Sequence, residues 1–283
     1  TGLTSNLPDE NIGIVTNQGV EIQLSHENRV ANGDFIYRIN GNFLYAKNRV
    51  EYMDETPWGA GHEYMNQTGH PMGAGLYYQV EGINKTQTDI DGHPQMSGAT
   101  LGDFYFKDLD GDGKITTYDR LRCDMTTVPE IVFGLSGNFQ WKNLDFSILF
   151  QGQARARFYY APQVDPVSYN VEADAARNAW TLNNTDANYP RLGSNVSNGG
   201  VTSSSFYYRN AAFLRLKNVE IGYTLPQNLF GPKKIIKGIR LNIGGYNLYT
   251  FSELKTIDPE QSDTSYATYP QVRIFNFGAK IMF

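Results

Sequence analysis

Apolar and polar residues alternate with a period of two along much of the chain, and helical periodicity is scarce. Val20, Ile22 and Leu24 interleave with Glu21, Gln23 and Ser25. Phe35, Tyr37, Ile39, Gly41, Phe43 and Tyr45 share one face, opposite Arg38, Asn40 and Asn42. Ile131, Phe133, Leu135, Phe139 and Trp141 oppose Gly134, Ser136, Asn138 and Gln140; Leu144, Phe146, Ile148 and Phe150 oppose Asp145, Ser147 and Gln151. Val219, Ile221, Tyr223 and Leu225 oppose Asn218, Glu220, Gly222 and Thr224, and Ile239, Leu241 and Ile243 oppose Arg240, Asn242 and Gly244. The chain closes with Phe275, Phe277, Ala279, Ile281 and Phe283 against Asn276, Gly278 and Lys280. Side chains on a strand switch face at every residue, so each stretch predicts a strand with one apolar and one polar side. About seven strands follow, with one short helix around Val171 to Trp180.

A soluble β-sandwich shows the same alternation. Strand length and connection length point elsewhere. Several strands approach the ~9–11 residues needed to cross a bilayer at a tilt. The connections from Asn28 to Asp34, at Lys142-Asn143 and from Pro226 to Gly238 are comparatively short, whereas those from Asn48 to Glu130, Ala154 to Tyr208 and Phe251 to Pro270 are long. Short turns on one rim and long loops on the other make the outer-membrane barrel pattern. Tyr45, Trp141, Tyr207, Tyr208, Tyr223 and Tyr249, near strand ends, suit an aromatic girdle at the lipid–water boundary. A sheet of about seven strands leaves two unpaired edges in lipid, so the expected barrel is completed by further chain.

Composition agrees. Mean hydropathy is −0.45, which a barrel tolerates because its strands are only half apolar. No apolar run is long enough for a membrane-crossing helix. The 24 basic and 29 acidic residues give a net charge of −5, which excludes a general nucleic-acid surface. The single cysteine, Cys123, leaves no internal disulfide, and its neighbours offer no metal-ligand spacing.

Several segments resemble the closing portion of the SusC/RagA family of TonB-dependent outer-membrane transporters. They are Asn11-Ile12-Gly13 through Asn17-Gln18-Gly19-Val20-Glu21; Gly69-His70-Pro71 through Tyr77-Tyr78-Gln79-Val80-Glu81-Gly82-Ile83; and Asp108-Leu109-Asp110-Gly111-Asp112-Gly113-Lys114-Ile115. Ala212-Phe213-Leu214-Arg215-Leu216-Lys217-Asn218 with Ile221 to Pro226, and Tyr246-Asn247-Leu248 with Asp258-Pro259-Glu260, follow in family order, and the chain ends on Phe283. The resemblance implies that residues 1–283 are a C-terminal segment of a 22-stranded, plugged barrel in the bacterial outer membrane, with 49–130 as a long extracellular loop. The signal peptide, plug domain and earlier strands are expected to lie outside this sequence. It further implies active import of oligosaccharides or peptides with a SusD-like surface lipoprotein, driven by TonB through the N-terminal part. A secreted calcium-braced β-sandwich that binds glycans, and a passive porin, are the rival readings.

One motif carries ligand chemistry. Residues 108–119 match an EF-hand-like loop: Asp108, Asp110 and Asp112 at positions 1, 3 and 5, glycine at 6, the Lys114 carbonyl at 7, Thr116 at 9 and Asp119 at 12. Hard oxygen donors suit Ca²⁺, expected here as a structural brace. Position 12 is Asp rather than the usual Glu, which shortens its reach. His62, His70 and His93 share the same long loop as ordinary loop histidines, with His26 elsewhere. No nucleophile-elbow, zinc-protease or phosphate-loop motif occurs, and no enzymatic activity is expected. Asn66-Gln67-Thr68 and Asn84-Lys85-Thr86 match the glycosylation pattern. Trp58, Tyr64, Tyr77, Tyr78, Tyr159, Tyr160, Tyr207 and Tyr208 are candidates for cargo contact, against the alternative that they pack the loops together.

Overall fold

The computed structural model describes residues 11–159, 173–192, 203–230, 235–255, 257–260 and 271–283. Seven strands form one sheet: β1 (Gly13–Val30), β2 (Phe35–Met53), β3 (Ile131–Trp141), β4 (Leu144–Ala154), β5 (Phe213–Thr224), β6 (Gly238–Ser252) and β7 (Ile274–Met282). Each is hydrogen-bonded to its neighbour in sequence order, and the ladders from β2 to β7 are antiparallel. This up-and-down order is a barrel wall, not the two face-packed sheets of the sandwich reading. The edges are β1 and β7.

The alternation fixes the register. Tyr37 lies opposite Phe139 and Phe139 opposite Phe146, so the apolar rows of three strands coincide. Their rings stack, with centroids 5.9 Å apart for Phe139 and Phe146. The polar row on the other face is equally continuous, from Arg38 through Asn138 and Ser147 to Glu220.

β1 and β2 extend well past the alternating stretches. β2 runs on to Met53, beyond the Asn48 at which the long connection was expected to begin. The extra residues mix apolar and polar side chains without strict alternation, Ile14, Val15 and Val50 among Thr16, Asn17, Arg49 and Glu51, and Thr16 Oγ1 donates to Glu51 Oε1 at 2.8 Å.

Alternation fails at one place in β5. Counting back from Val219 in steps of two puts Lys217 and Arg215 on the apolar face. The ladders slip between Leu216 and Asn218 on both sides of the strand: Asn218 faces Leu149, yet Leu216 faces Phe150. This bulge reverses the faces below it. Leu214 and Leu216 turn outward, and Arg215 turns to the polar face opposite Gln151 and Thr250.

By compactness the chain divides in two, one unit holding most of the wall and the other residues 1–17, 48–126 and 159–209. Described by itself, the second is far more ordered than a pair of loops. Leu76–Tyr78 pairs with Arg120–Arg122, and Val80–Ile83 with Phe104–Phe106. Helix α1 (Gln87–Gly92) opens on a capping box in which Thr86 and Asp89 exchange hydrogen bonds. Helix α2 (Ala173–Asn178) falls within the predicted stretch. The core is aromatic: Tyr78, Phe104, Phe106, Ile115 and Tyr207 are buried, and Val80, Ile83, Met96, Tyr159 and Phe206 pack around them. Arg191 and the buried Asp103 form an ion pair at 2.7 Å between the two long connections. Arg122 binds the backbone carbonyls of Met65, Asn66 and Ala74, tying the Gly69-His70-Pro71 segment down.

Candidate metal loop and inner face

The turn at 108–113 converges three carboxylates. One oxygen from each of Asp108, Asp110 and Asp112 lies within 4.8 Å of the others. The backbone sets this up. Asp108 Oδ1 accepts the Gly111 N–H at 2.7 Å and Oδ2 the Gly113 N–H at 2.9 Å, while Asp112 Oδ1 accepts from Lys114 N at 2.7 Å. Gly113 sits at φ +81°, a conformation glycine adopts without steric cost. The Gly113 N–H, against partial burial and with help from Gly111, holds the Asp108 carboxyl below its ordinary value. Three carboxylate oxygens thus converge, with the His62 ring 3.5 Å from Asp110 Oδ2 as the basic neighbour among the described residues, a donor set that fits a hard divalent cation.

Asp119 behaves differently. It is fully buried, outside the three-carboxylate group, and both its oxygens are engaged: Oδ1 accepts from Leu109 N at 2.8 Å and Oδ2 from Thr116 N at 2.7 Å. It staples the two ends of the loop together. The Thr116 hydroxyl accepts from Tyr118 N at 3.1 Å. Ile115 enters the aromatic core and so anchors the loop.

The histidines stay apart. His62 Nε2 lies 3.5 Å from Asp110 Oδ2 with its ring 4.6 Å from that of Tyr118; His70 pairs with Asp124 at 2.5 Å; His93 bonds the Asp89 carbonyl at 2.9 Å. Asn84 is fully buried, so it cannot be a glycan acceptor. Of the candidate aromatics, Tyr78 and Tyr207 are core residues, 7% and 1% exposed, which removes them from cargo contact and Tyr207 from the girdle. Tyr77 and Tyr208 hydrogen-bond each other, and Tyr64 donates to the Tyr118 carbonyl at 2.8 Å. Trp58 remains exposed. Tyr160 lies outside the described residues. Trp141, Tyr223 and Tyr249 are half-exposed, and the register puts Tyr223 opposite Leu241 and Tyr249 opposite Leu216 in the apolar rows.

The polar face of the wall is a hydrogen-bonded lattice. Ser25 donates to Asn40 at 2.7 Å and Asn40 to Ser136 at 3.2 Å, crossing three strands. Arg38 Nε binds Glu27 at 2.8 Å, and Arg240 binds both Asp145 and Glu220. Further along, Arg215 holds Asp258 and Glu260. The parity change across Lys217, legible as Leu214 and Leu216 against Val219 and Ile221, was the signal that could have assigned Arg215 to this face.

A strand-ordered wall with one apolar face, one polar lattice and long connections at one rim defines a portion of an outer-membrane β-barrel. The chain aligns over its whole length with TonB-dependent receptor P3 of Formosa agariphila at 30% identity and with receptor P26 of the same organism at 27%. It is 25% identical to TonB-dependent receptor SusC of Bacteroides thetaiotaomicron over 97% of its length. It spans 30% of the first two and 27% of SusC. The solved structure of the RagAB peptide transporter superposes with a TM-score of 0.70 at 22% identity, over 96% of this chain and 30% of that one. The RagAB peptide importer in its open-open state also gives 0.70, over 97% of this chain. No protein-family model matches. The resemblance read from the motifs therefore holds: the chain is homologous throughout to SusC/RagA-type TonB-dependent receptors, a family of bacterial outer-membrane barrels named as receptors and transporters rather than enzymes.

Proposed function

We propose that this chain is the closing section of the barrel wall of a TonB-dependent importer that carries oligosaccharides or peptides across the outer membrane. In this reading a SusD-like surface lipoprotein captures the cargo, and TonB engages the part of the protein outside this segment. The observation that carries it is the whole-length similarity to receptors of this name, SusC among them. The RagAB neighbour is a peptide transporter, which supports the peptide arm; the oligosaccharide arm is kept open for the uptake assay below. Affinity purification of the tagged parent from outer membranes, with mass spectrometry of co-purifying proteins, tests the partner. Uptake of labelled oligosaccharides and peptides with and without TonB tests the activity. Uptake independent of TonB would replace the importer by a passive porin.

Calcium bound by Asp108, Asp110 and Asp112, with the Lys114 carbonyl and Thr116 completing the loop and Asp119 bracing it from behind, is part of the same proposal. Its role is structural, holding a water-exposed turn that carries Ile115 into the aromatic core. Calorimetric titration of the chelator-treated parent with Ca²⁺ tests it; no heat of binding at millimolar concentration refutes it.

A further inference from the structure

The segment leaving β6 is tied to the inner face of the wall. Arg215 is 1% exposed, and all three guanidinium nitrogens are engaged. Its Nη2 binds Asp258 Oδ1 and Oδ2 at 2.7 and 2.8 Å, Nη1 binds Glu260, and Nε donates to Thr250 Oγ1 at 2.9 Å. The guanidinium lies 5.1 Å from the Phe213 ring centroid. Two glutamines of β4 reach the same turn: Gln151 donates to Glu260 Oε1 at 2.7 Å and Gln153 to the Pro259 carbonyl at 3.3 Å. Lys217 stands 3.7 Å from Glu260. Two neighbouring strands, β4 and β5, thus grip three consecutive residues.

Gln151, Gln153 and Arg215 belong to the polar face, because Gln151 and Gln153 alternate with lipid-side Phe150 and the bulge puts Arg215 with them. The turn they hold therefore lies inside the wall, not above it. We infer that Ile257–Glu260 is a strap locked across the inner face by Arg215, a fixed constriction on the lumen side at the long-loop end, and not a mobile loop. A planar fork binding one carboxylate with two donors while a third and fourth reach other acceptors fixes orientation as well as position. Lysine, with a single point charge, cannot replace it. The bulge exists, on this view, to deliver an arginine to the strap from a strand whose outward parity would have sent it into lipid.

The strap is testable without reference to transport, so its failure and that of the import proposal are distinguishable. Lys255 lies just before it and offers a trypsin site. In the parent protein, in outer-membrane vesicles, cleavage after Lys255 by external trypsin is expected to be slow. Arg215→Gln raises its rate by about tenfold or more, because cleavage follows the opened population. Arg215→Lys restores little. Asp258→Asn, which leaves Arg215 paired with Glu260, gives an intermediate rate and guards against a variant that fails to assemble; heat-modifiable migration verifies the barrel in each. Wild-type resistance retained in both Arg215→Gln and Asp258→Asn, with intact barrels, overturns the strap. Equally rapid cleavage in wild type overturns it too.

Discussion

Arg240 and Asp145 form an ion pair although a whole strand separates them. Arg240 is on β6 and Asp145 on β4; β5 runs between, and the residue beneath the contact is Gly222. A Cβ built there would lie 2.3 Å from Arg240 Nη2 and 2.5 Å from Asp145 Oδ2. The glycine is the gap through which the two side chains meet, and Glu220 joins from the same strand at 2.7 Å. Gly222→Val is predicted to break the pair and lower barrel stability by about 1–2 kcal/mol. Gly41→Ala, whose Cβ would meet nothing closer than 3.9 Å, is predicted to be close to neutral. The temperature at which each purified parent loses its heat-modifiable gel shift checks both.

Tyr207 gives a paired test of the aromatic core. Its ring is 1% exposed, its hydroxyl has no hydrogen-bond partner among the described residues, and burial raises its pKa. Removing a buried hydroxyl that bonds nothing costs little, so Tyr207→Phe is predicted to leave stability unchanged or slightly raised. Tyr207→Ala removes the ring from between Phe104 and Phe206 and is predicted to cost about 3–5 kcal/mol. Hydrogen exchange of the Phe104–Phe106 peptide separates the two variants.

Calcium removal is predicted to loosen one turn and leave the sheet intact. Chelation, or Asp112→Asn, is expected to raise amide exchange across 108–116 while the β3–β4 peptides keep their protection. Proteolysis with and without chelator gives the same comparison in membranes. Unchanged exchange across the turn on chelation would retire the brace.

Acid is predicted to act on the loops before the wall. Asp108, Asp89 and Asp186 all have folded-state pKa values below the ordinary 3.8, owing chiefly to the Gly113 N–H, the Thr86 N–H and Lys85 respectively. A depressed carboxylate contributes stability that is complete above its unfolded pKa and is lost as pH falls through the lower folded value. The window therefore opens near pH ~4 and extends downward. Exchange measured at about pH 3 should show deprotection of 86–113 with the strands unaffected; simultaneous loss in both regions would contradict it.

The wall was legible because lipid on one side and polar groups on the other impose the same two-residue period on every strand that crosses. That is why Phe35 to Tyr45 and Ile131 to Trp141 announce themselves. The rule does not reach the rest of β1 and β2, regular strand in which Ile14, Val15 and Val50 fall among Thr16, Asn17, Arg49 and Glu51 without a continuous apolar row. The β5 bulge was visible only as a parity change that a motif match passed over. The aromatic core was least legible. Tyr78 and Tyr207 are far apart in sequence, carry no local period, and read equally well as cargo contacts until their burial is known. At the candidate metal loop, spacing located Asp108, Asp110 and Asp112, but it could not show that Asp119 spends both oxygens on backbone N–H groups.

The shared core also constrains how this surface can change over generations. Ile83, Phe104 and Phe106 come from one long connection, Tyr159, Phe206 and Tyr207 from the other, and each set covers apolar area that the other would leave wet. Exchanging one connection between related receptors would strand half a core. Exchanging both together would carry a finished surface onto a new wall, so recombination that succeeds should move the two as a single cassette.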